Sequence, residues 1–443
     1  MRGEVDNLRD DVINSEGVKH SFLWYILMTF LVFCFTYQFD LQIFGFPNQL
    51  HSVRFAALMF YVLFGIETLK RTKKNDNNSN GIAFYKTIIN LHIGLFIYML
   101  FLYFTIGLSE GEHMVVVLLN FFLFRLIPLY FCFKLFANID ELMHIILWAT
   151  LLQTVFIWIS IINPTIGTAI DLVFNIDNLE YVEGHRTGYA GGIGCITAPG
   201  YIRYSLGQIA CFYLFTKGRK VLYAFLFLLL FITGTLIART GLFAGAIVIV
   251  FMLYHLFTGK NIKALGPLSL VSIIVLIVAS NLLSNKNVSS FFEDRYSRMN
   301  KMFEDSREQG FHNLGFFDDY LHNPDNTLPP LSIETIMGIG VPSGTAGNGI
   351  KVNIDGGYLR VYAAYGLLLA LFFYFFVFGK MYGLSRRTKN REVRLTLLLT
   401  LIMLIVAEYK EWTFYGTPYI WLFTLVAVLP SQEKLLVSDY RSE

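Results

Sequence analysis

The strongest constraint on this chain is the recurrence of apolar segments long enough to cross a hydrocarbon core about 30 Å thick. They fall at about 21–37, 53–69, 82–107, 114–136, 142–162, 201–216, 220–237, 241–258, 264–284, 357–379, 394–409 and 416–430. Lipid offers no water to an exposed backbone N–H or C=O, so each segment is expected to be an α-helix. The fold class expected is an all-α polytopic membrane protein, a single transmembrane domain over 1–443 with about twelve transmembrane helices. Composition agrees, since only 15% of the residues are charged against about a quarter in soluble domains. The 43 phenylalanines and 25 tyrosines suit lipid contact and interfacial anchoring. A net charge of +3, scattered along the chain, gives no basis for a nucleic-acid partner. The charged start "MRGEVDNLRDDVINSEGVKH" has no small-residue cleavage site and reads as a tail before a retained first helix.

Lysine and arginine set the orientation. With the N-terminus inside, the cytoplasmic side holds "LKRTKK", "KGRK", "GKNIK" and "KMYGLSRRTKNREVR", and 22 of the 35 basic residues in all. The outside segments hold 12 although they are longer, and Arg125 lies within a helix. Two outside loops are large, 163–200 and 285–356. The first ends in the glycine-rich run "EGHRTGYAGGIGCITAPGYIRYSLG", which permits tight backbone and close approach to a ligand. In the second, Phe292, Tyr296, Met299 and Phe303 share one helical face, with Arg295 and Arg298 near its edge. That pattern predicts an interfacial helix whose arginines hold lipid head groups or gather an anionic lipid-linked substrate.

Several charges stand where a membrane protein rarely places them. Arg239 occupies the short turn in "LIARTGLFAGAIVIV". Its guanidinium can pair bidentately with phosphate or can snorkel to head groups. Arg186 and Arg203 flank the glycine-rich run and, with Arg239, are candidates to converge on a pyrophosphate. Gly241 and Gly245 have the spacing of a helix-packing pair. Arg125 sits near mid-helix, where a charge is costly and calls for a partner, Glu67 or Glu408. "AEYKEW" offers Glu408 or Lys410 to an outer cavity. Asp355 is the last charged residue before the tenth apolar segment, with Tyr358 just beyond it. It can cap that helix or take a proton from a sugar hydroxyl, and His312 and His322 are rival bases. The acidic stretch "FFDDYLHNPDN" is a solvated loop or a cation site. Four cysteines without metal-ligand spacing read as structural thiols. The chain contains neither a P-loop nor an HExxH motif, so it gives no sign of ATP hydrolysis or zinc.

Four stretches carry a family likeness: "RTGYAGG", "ARTGL", "MGIGVPSG" (337–344) and "DGGYLRVYAAYGLLLALF". Through them the chain resembles the Wzy-type O-antigen polymerases and, more broadly, the O-antigen polymerase and ligase superfamily. The likeness is clearest over about 180–380. It implies a GT-C-like architecture with two large loops facing each other over an outward cavity. It also implies a metal-independent glycosyltransferase with no cofactor, in the bacterial cytoplasmic (inner) membrane, serving lipopolysaccharide or other polysaccharide biosynthesis. Donor and acceptor would be undecaprenyl-pyrophosphate-linked glycans, and a chain-length regulator and a flippase are candidate partners beside membrane lipids. The catalytic candidates are then Asp355, Arg186 and Arg239. Arg203, Arg295, Arg298 and Tyr358 are candidates for substrate binding, and no residue is assigned to a metal. Ligases of the superfamily carry a histidine where this sequence has Asp355. An O-antigen ligase and a lipid-linked oligosaccharide flippase are the alternative readings.

Overall fold

The computed structural model describes residues 21–37, 39, 51–70, 80–106, 113–136, 139–173, 197–218, 220–237, 240–258, 284–290, 293, 297, 332–346, 348–352 and 356–410. The helices among them are α1 (Phe22–Thr36), α2 (Ser52–Lys70), α3 (Asn80–Ile106), α4 (Met114–Phe121), α5 (Ile127–Leu135), α6 (Ile139–Ile162) and α7 (Pro164–Val173). They continue with α8 (Thr197–Lys217), α9 (Lys220–Ile237), α10 (Thr240–Thr258), α11 (Ile333–Met337), α12 (Gly357–Tyr365), α13 (Leu367–Arg387) and α14 (Arg391–Lys410). A two-stranded hairpin, β1 (Gly344–Thr345) and β2 (Lys351–Val352), lies between α11 and α12. Among the described residues, α2, α3, the α4–α5 run, α6 and α13 are long and apolar enough to cross a membrane, and α1, α9 and α10 contain shorter apolar helices. The protein is therefore a mostly helical, membrane-embedded chain. The expected spans at 264–284 and 416–430 lie outside the described residues.

The bundle is organised around α8, which packs on α6, α9, α10 and α14. From Ile202 to Thr216 every residue except Arg203 is buried. Small residues bring its neighbours close, because lipid supplies no hydrophobic force between helices and packing must do so. A β-carbon on Gly207 would stand 2.5 Å from Thr150 of α6. Gly241 of α10 lies against the Gly234 backbone of α9, and Gly245 lies against the Phe231 ring. The glycine pair is a packing device, as its spacing suggested.

α9 and α10 run antiparallel, with Gly241 against Gly234 and Gly245 against Phe231, and contacts between helix termini mark two distinct ends of the bundle. One is basic: Lys217 pairs with Asp140 at 3.7 Å, Arg391 donates to Thr258 Oγ1, and Arg386 and Arg387 close α13. At the other end lie the end of α9, the start of α10 and the described residues of 332–366. The large first loop is not irregular at its start, since α7 folds back on α6 with Gly167 against Ser160.

The expectation of one helix over 357–379 is corrected. The helix stops at Tyr365, and Gly366 adopts φ 85°, a conformation that β-carbon-bearing residues reach only with strain. Run straight, the helix would hold Tyr358 and Tyr374 about 24 Å apart. Their ring centroids are 4.7 Å apart, so α12 doubles back along α13. The reversal leaves Ala363 and Ala364 without the amide donors that a continuing helix would supply. Ile339 N–H donates to Ala363 O at 2.9 Å and Gly340 N–H to Ala364 O at 3.1 Å. Gly340 O then accepts Met114 N–H, the first amide of α4, at 2.9 Å. Backbones this close need small residues: a β-carbon on Gly338 would lie 2.5 Å from Tyr365 C, and one on Gly366 2.3 Å from Ile336 O.

Gly366→Ala should therefore lower stability by at least about 2 kcal/mol. Gly379→Ala, which meets no atom within 4 Å, should stay close to wild type. Thermal unfolding of the detergent-purified protein, read as the midpoint shift of each variant, checks this pair.

Candidate functional site

The segment 332–366 builds a small folded unit at the end of the bundle away from the basic links. Ser332 starts it with a reciprocal capping box, accepting Thr335 N–H at 3.3 Å while Ser332 N–H donates to Thr335 Oγ1 at 2.9 Å. The next residues, 338–341, insert their backbone against the end of α12. The hairpin follows, with Gly344 opposite Val352 and Thr345 opposite Lys351. Ile339, Val341, Ala346, Val352 and Ala363 close its core, and Leu359 and Tyr409 pack against it. Tyr98 of α3 donates to Met337 O. His113 caps α4 through Nδ1, which accepts Val115 N–H at 3.2 Å, and its ring stands edge-on to Tyr103 at 4.8 Å. Burial holds the His113 imidazole below its ordinary pKa, which keeps Nδ1 free to accept. Sequence reasoning read this region as loop. Asn348-Gly349 between alternating apolar residues was the signal that could have found the hairpin.

The start of α12 lies beside the last turns of α14. Tyr358 Oη donates to Ile405 O at 3.0 Å, and its ring sits edge-on to Tyr374. Tyr374 Oη donates to Glu408 Oε1 at 2.6 Å, and Glu408 is fully buried. Glu408 therefore does not line an open cavity, as was expected of it. Instead it faces inward among α12, α13 and α14. The N-cap of α12 is Gly356, without a side-chain cap, so the capping role considered for Asp355 belongs to the next residue. The Asp355 side chain itself lies outside the described residues.

Arg203 was expected at the start of its helix. The helix begins at Thr197, so Arg203 stands in the second turn, half-buried. Around that level run polar contacts rare in a lipid-facing bundle. Thr154 and Tyr204 hydroxyls meet at 2.7 Å, Trp158 Nε1 donates to Thr233 Oγ1 at 2.9 Å, and Gln153 and Gln208 are fully buried. Arg125 lies in a π turn, Phe122–Leu126. Pro128 has no amide to give Phe124 O, and Ile127 N–H reaches back to Phe122 O. Two tyrosines satisfy the loosened carbonyls, Tyr61 donating to Leu123 O at 2.8 Å and Tyr85 to Leu126 O.

Arg239 falls between α9, which ends at Ile237, and α10, which starts at Thr240, and lies outside the described residues. Arg186, Arg295, Arg298, His312, His322 and the acidic stretch 316–326 also lie outside them. The expected convergence of Arg186, Arg203 and Arg239 thus involves one described residue. Among the described residues no group of His, Cys, Asp or Glu could hold a metal ion, and Cys34, Cys132 and Cys211 are buried free thiols. No family model matches the chain, and no curated protein or solved structure is significantly similar to it.

The His113 cap generates a pH prediction. Its folded pKa is depressed, so the cap's stabilisation, about 1 kcal/mol, is present above the unfolded value near 6.5 and is lost as pH falls through the folded value. Protonation also places a positive charge at a helix N-terminus. His113→Asn, which caps without titrating, should lose less thermal stability than wild type between about pH 7.5 and 5. Parallel acid melts of the two proteins measure the difference.

Proposed function

We propose that this chain is a lipid-linked glycan polymerase of the Wzy type. In this reading it transfers a growing polysaccharide from undecaprenyl pyrophosphate onto a lipid-linked repeat unit. The observation that supports the reading is the meeting of two of its four family-like motifs at one end of the bundle. "MGIGVPSG" and "DGGYLRVYAAYG" interlock through the backbone there, and Gly241 of "ARTGL" packs against Gly234 near the end of α9. The excess of basic residues at the opposite end supports an outward-facing site in the bacterial cytoplasmic membrane. A GT-C-like arrangement of about twelve spans belongs to the same proposal.

The chemistry is glycosyl transfer without a nucleotide sugar. The acceptor hydroxyl oxygen attacks the anomeric carbon as the bond from that carbon to the pyrophosphate oxygen breaks. The hydroxyl proton passes to a carboxylate, for which Asp355 is the candidate. Arg239 and Arg186 bear the charge that builds on the departing pyrophosphate, the kind of stabilisation that often dominates catalysis. Arg203, Arg295 and Arg298 are proposed to hold the lipid-linked substrates, whereas the Tyr358 hydroxyl, also expected to bind substrate, is engaged by Ile405 O. Flipping of a lipid-linked oligosaccharide is the second reading. The buried polar band of Gln153, Tyr204 and Gln208 favours it, because transport pathways concentrate such groups within the membrane.

The test is the ladder of surface polysaccharide from a deletion strain carrying variants. Loss of the gene should leave one repeat unit on its anchor. Bare core with polymer held on the carrier lipid would point to a ligase, and absence of any exported repeat to a flippase. Arg239→Ala, expressed at wild-type level, should abolish the ladder, and a full ladder would remove its phosphate role. Asp355→Asn keeps size and polarity while removing the base, so full activity would exclude Asp355 as proton acceptor.

A further inference from the structure

Glu408 has no part in the chemistry above, yet it is a fully buried carboxylate in an apolar helix of a membrane protein. Removing a carboxylate from water costs several kcal/mol, and a leucine would fill the space without that cost. What the carboxylate supplies is direction. Its 2.6 Å bond from Tyr374 Oη has the length of a charge-assisted hydrogen bond. That bond fixes the Tyr374 ring, and the Tyr358 ring stands edge-on against it. Tyr358 in turn donates to Ile405 O on α14, one turn before Glu408. Tyr358 is the second residue of α12, so this chain of contacts terminates at the helix start.

The other end of α12 is held separately, by the backbone of 338–340 at Ala363 and Ala364. Loss of Glu408 would leave the first turn of the nine-residue α12 with the Tyr358–Ile405 bond and the packing of Leu359, but without the fixed Tyr374 ring against which Tyr358 stands. So short a helix has little stability of its own, and its first turn is the part free to swing or fray.

We propose that Glu408, acting through Tyr374 and Tyr358, is a positioning residue that fixes the N-terminal end of α12. The proposal rests on the polymerase reading, in which the segment entering α12 carries the proton acceptor. Placement of that segment governs the rate of the chemical step rather than the affinity for lipid-linked substrate, because reactivity falls steeply with small misplacements.

The experiment pairs hydrogen exchange on the full-length protein in detergent with turnover of a synthetic lipid-linked repeat unit. In Glu408→Leu, protection of amides 360–365 should fall at least about tenfold while peptides of α8 keep theirs. In the same variant kcat should fall at least about tenfold with KM changed less than about twofold. Glu408→Gln keeps an oxygen to accept the Tyr374 hydroxyl and should stay within about threefold of wild type in both measurements. If Glu408→Leu does not fold, Tyr374→Phe removes the same bond and should give the same loss. Unchanged protection at 360–365 overturns the anchor. Lost protection with unchanged kcat overturns the positioning role. If wild type makes no polymer while Glu408→Leu still loosens α12, the polymerase reading fails and the anchor stands.

Discussion

A carbonyl buried where a helix ends must find a donor within the protein, and at Ala363 and Ala364, both fully buried, that donor is another stretch of backbone. The rest of this structure follows from that requirement. Gly366 turns the chain back on itself, and the turn persists because Ile339 and Gly340 supply the two amides that the lost helix would have given. The same Gly340 gives its carbonyl to the first amide of α4. One short extended stretch therefore ties α12 to α4 at one end of the bundle. The π turn at Phe122–Leu126 meets the same constraint with side chains, Tyr61 donating to Leu123 O and Tyr85 to Leu126 O.

That end of the bundle is built differently from its opposite. The basic end joins its helices through short links with conventional capping, as where Asn390 Oδ1 accepts the amides of Glu392 and Val393. The other end carries a folded unit with its own small core, a helix that reverses, and a buried carboxylate held by a tyrosine. Such features cost stability, and cost of this kind is commonly retained where function demands a fixed geometry. This supports placing the proposed transfer site there. The fully buried polar residues along α6 and α8 lie within the bundle, and they keep the transport reading in view.

Most of the helices were legible because hydropathy records where a chain can stay in lipid. The run 220–237 was read with the bounds the structure gives it, since Lys220 and Arg239 bracket an unbroken apolar stretch. The same property misled over 357–379. Apolarity carries no information about direction, so a helix that reverses at one glycine reads as one that continues. The sequence of 338–341 looked like loop because its hydrogen bonds go to residues far away in the chain. Glu408 was visible as a charge near a helix end. Whether it faced a cavity or the interior depended on where α12 and α13 lay, which no local pattern encodes. The arginines and Asp355 were legible as misplaced charges, while whether they converge depends on long-range packing that no local pattern encodes.

The central claim is that this chain joins lipid-linked repeat units, and one reconstitution tests it directly. Purified protein in vesicles would receive a synthetic undecaprenyl-pyrophosphate-linked repeat unit as its sole substrate, with lipid products separated by length. The account predicts a ladder rising by single repeats, with one undecaprenyl pyrophosphate released for each bond formed. A substrate that stays one repeat long, whether or not it crosses the bilayer, would contradict it.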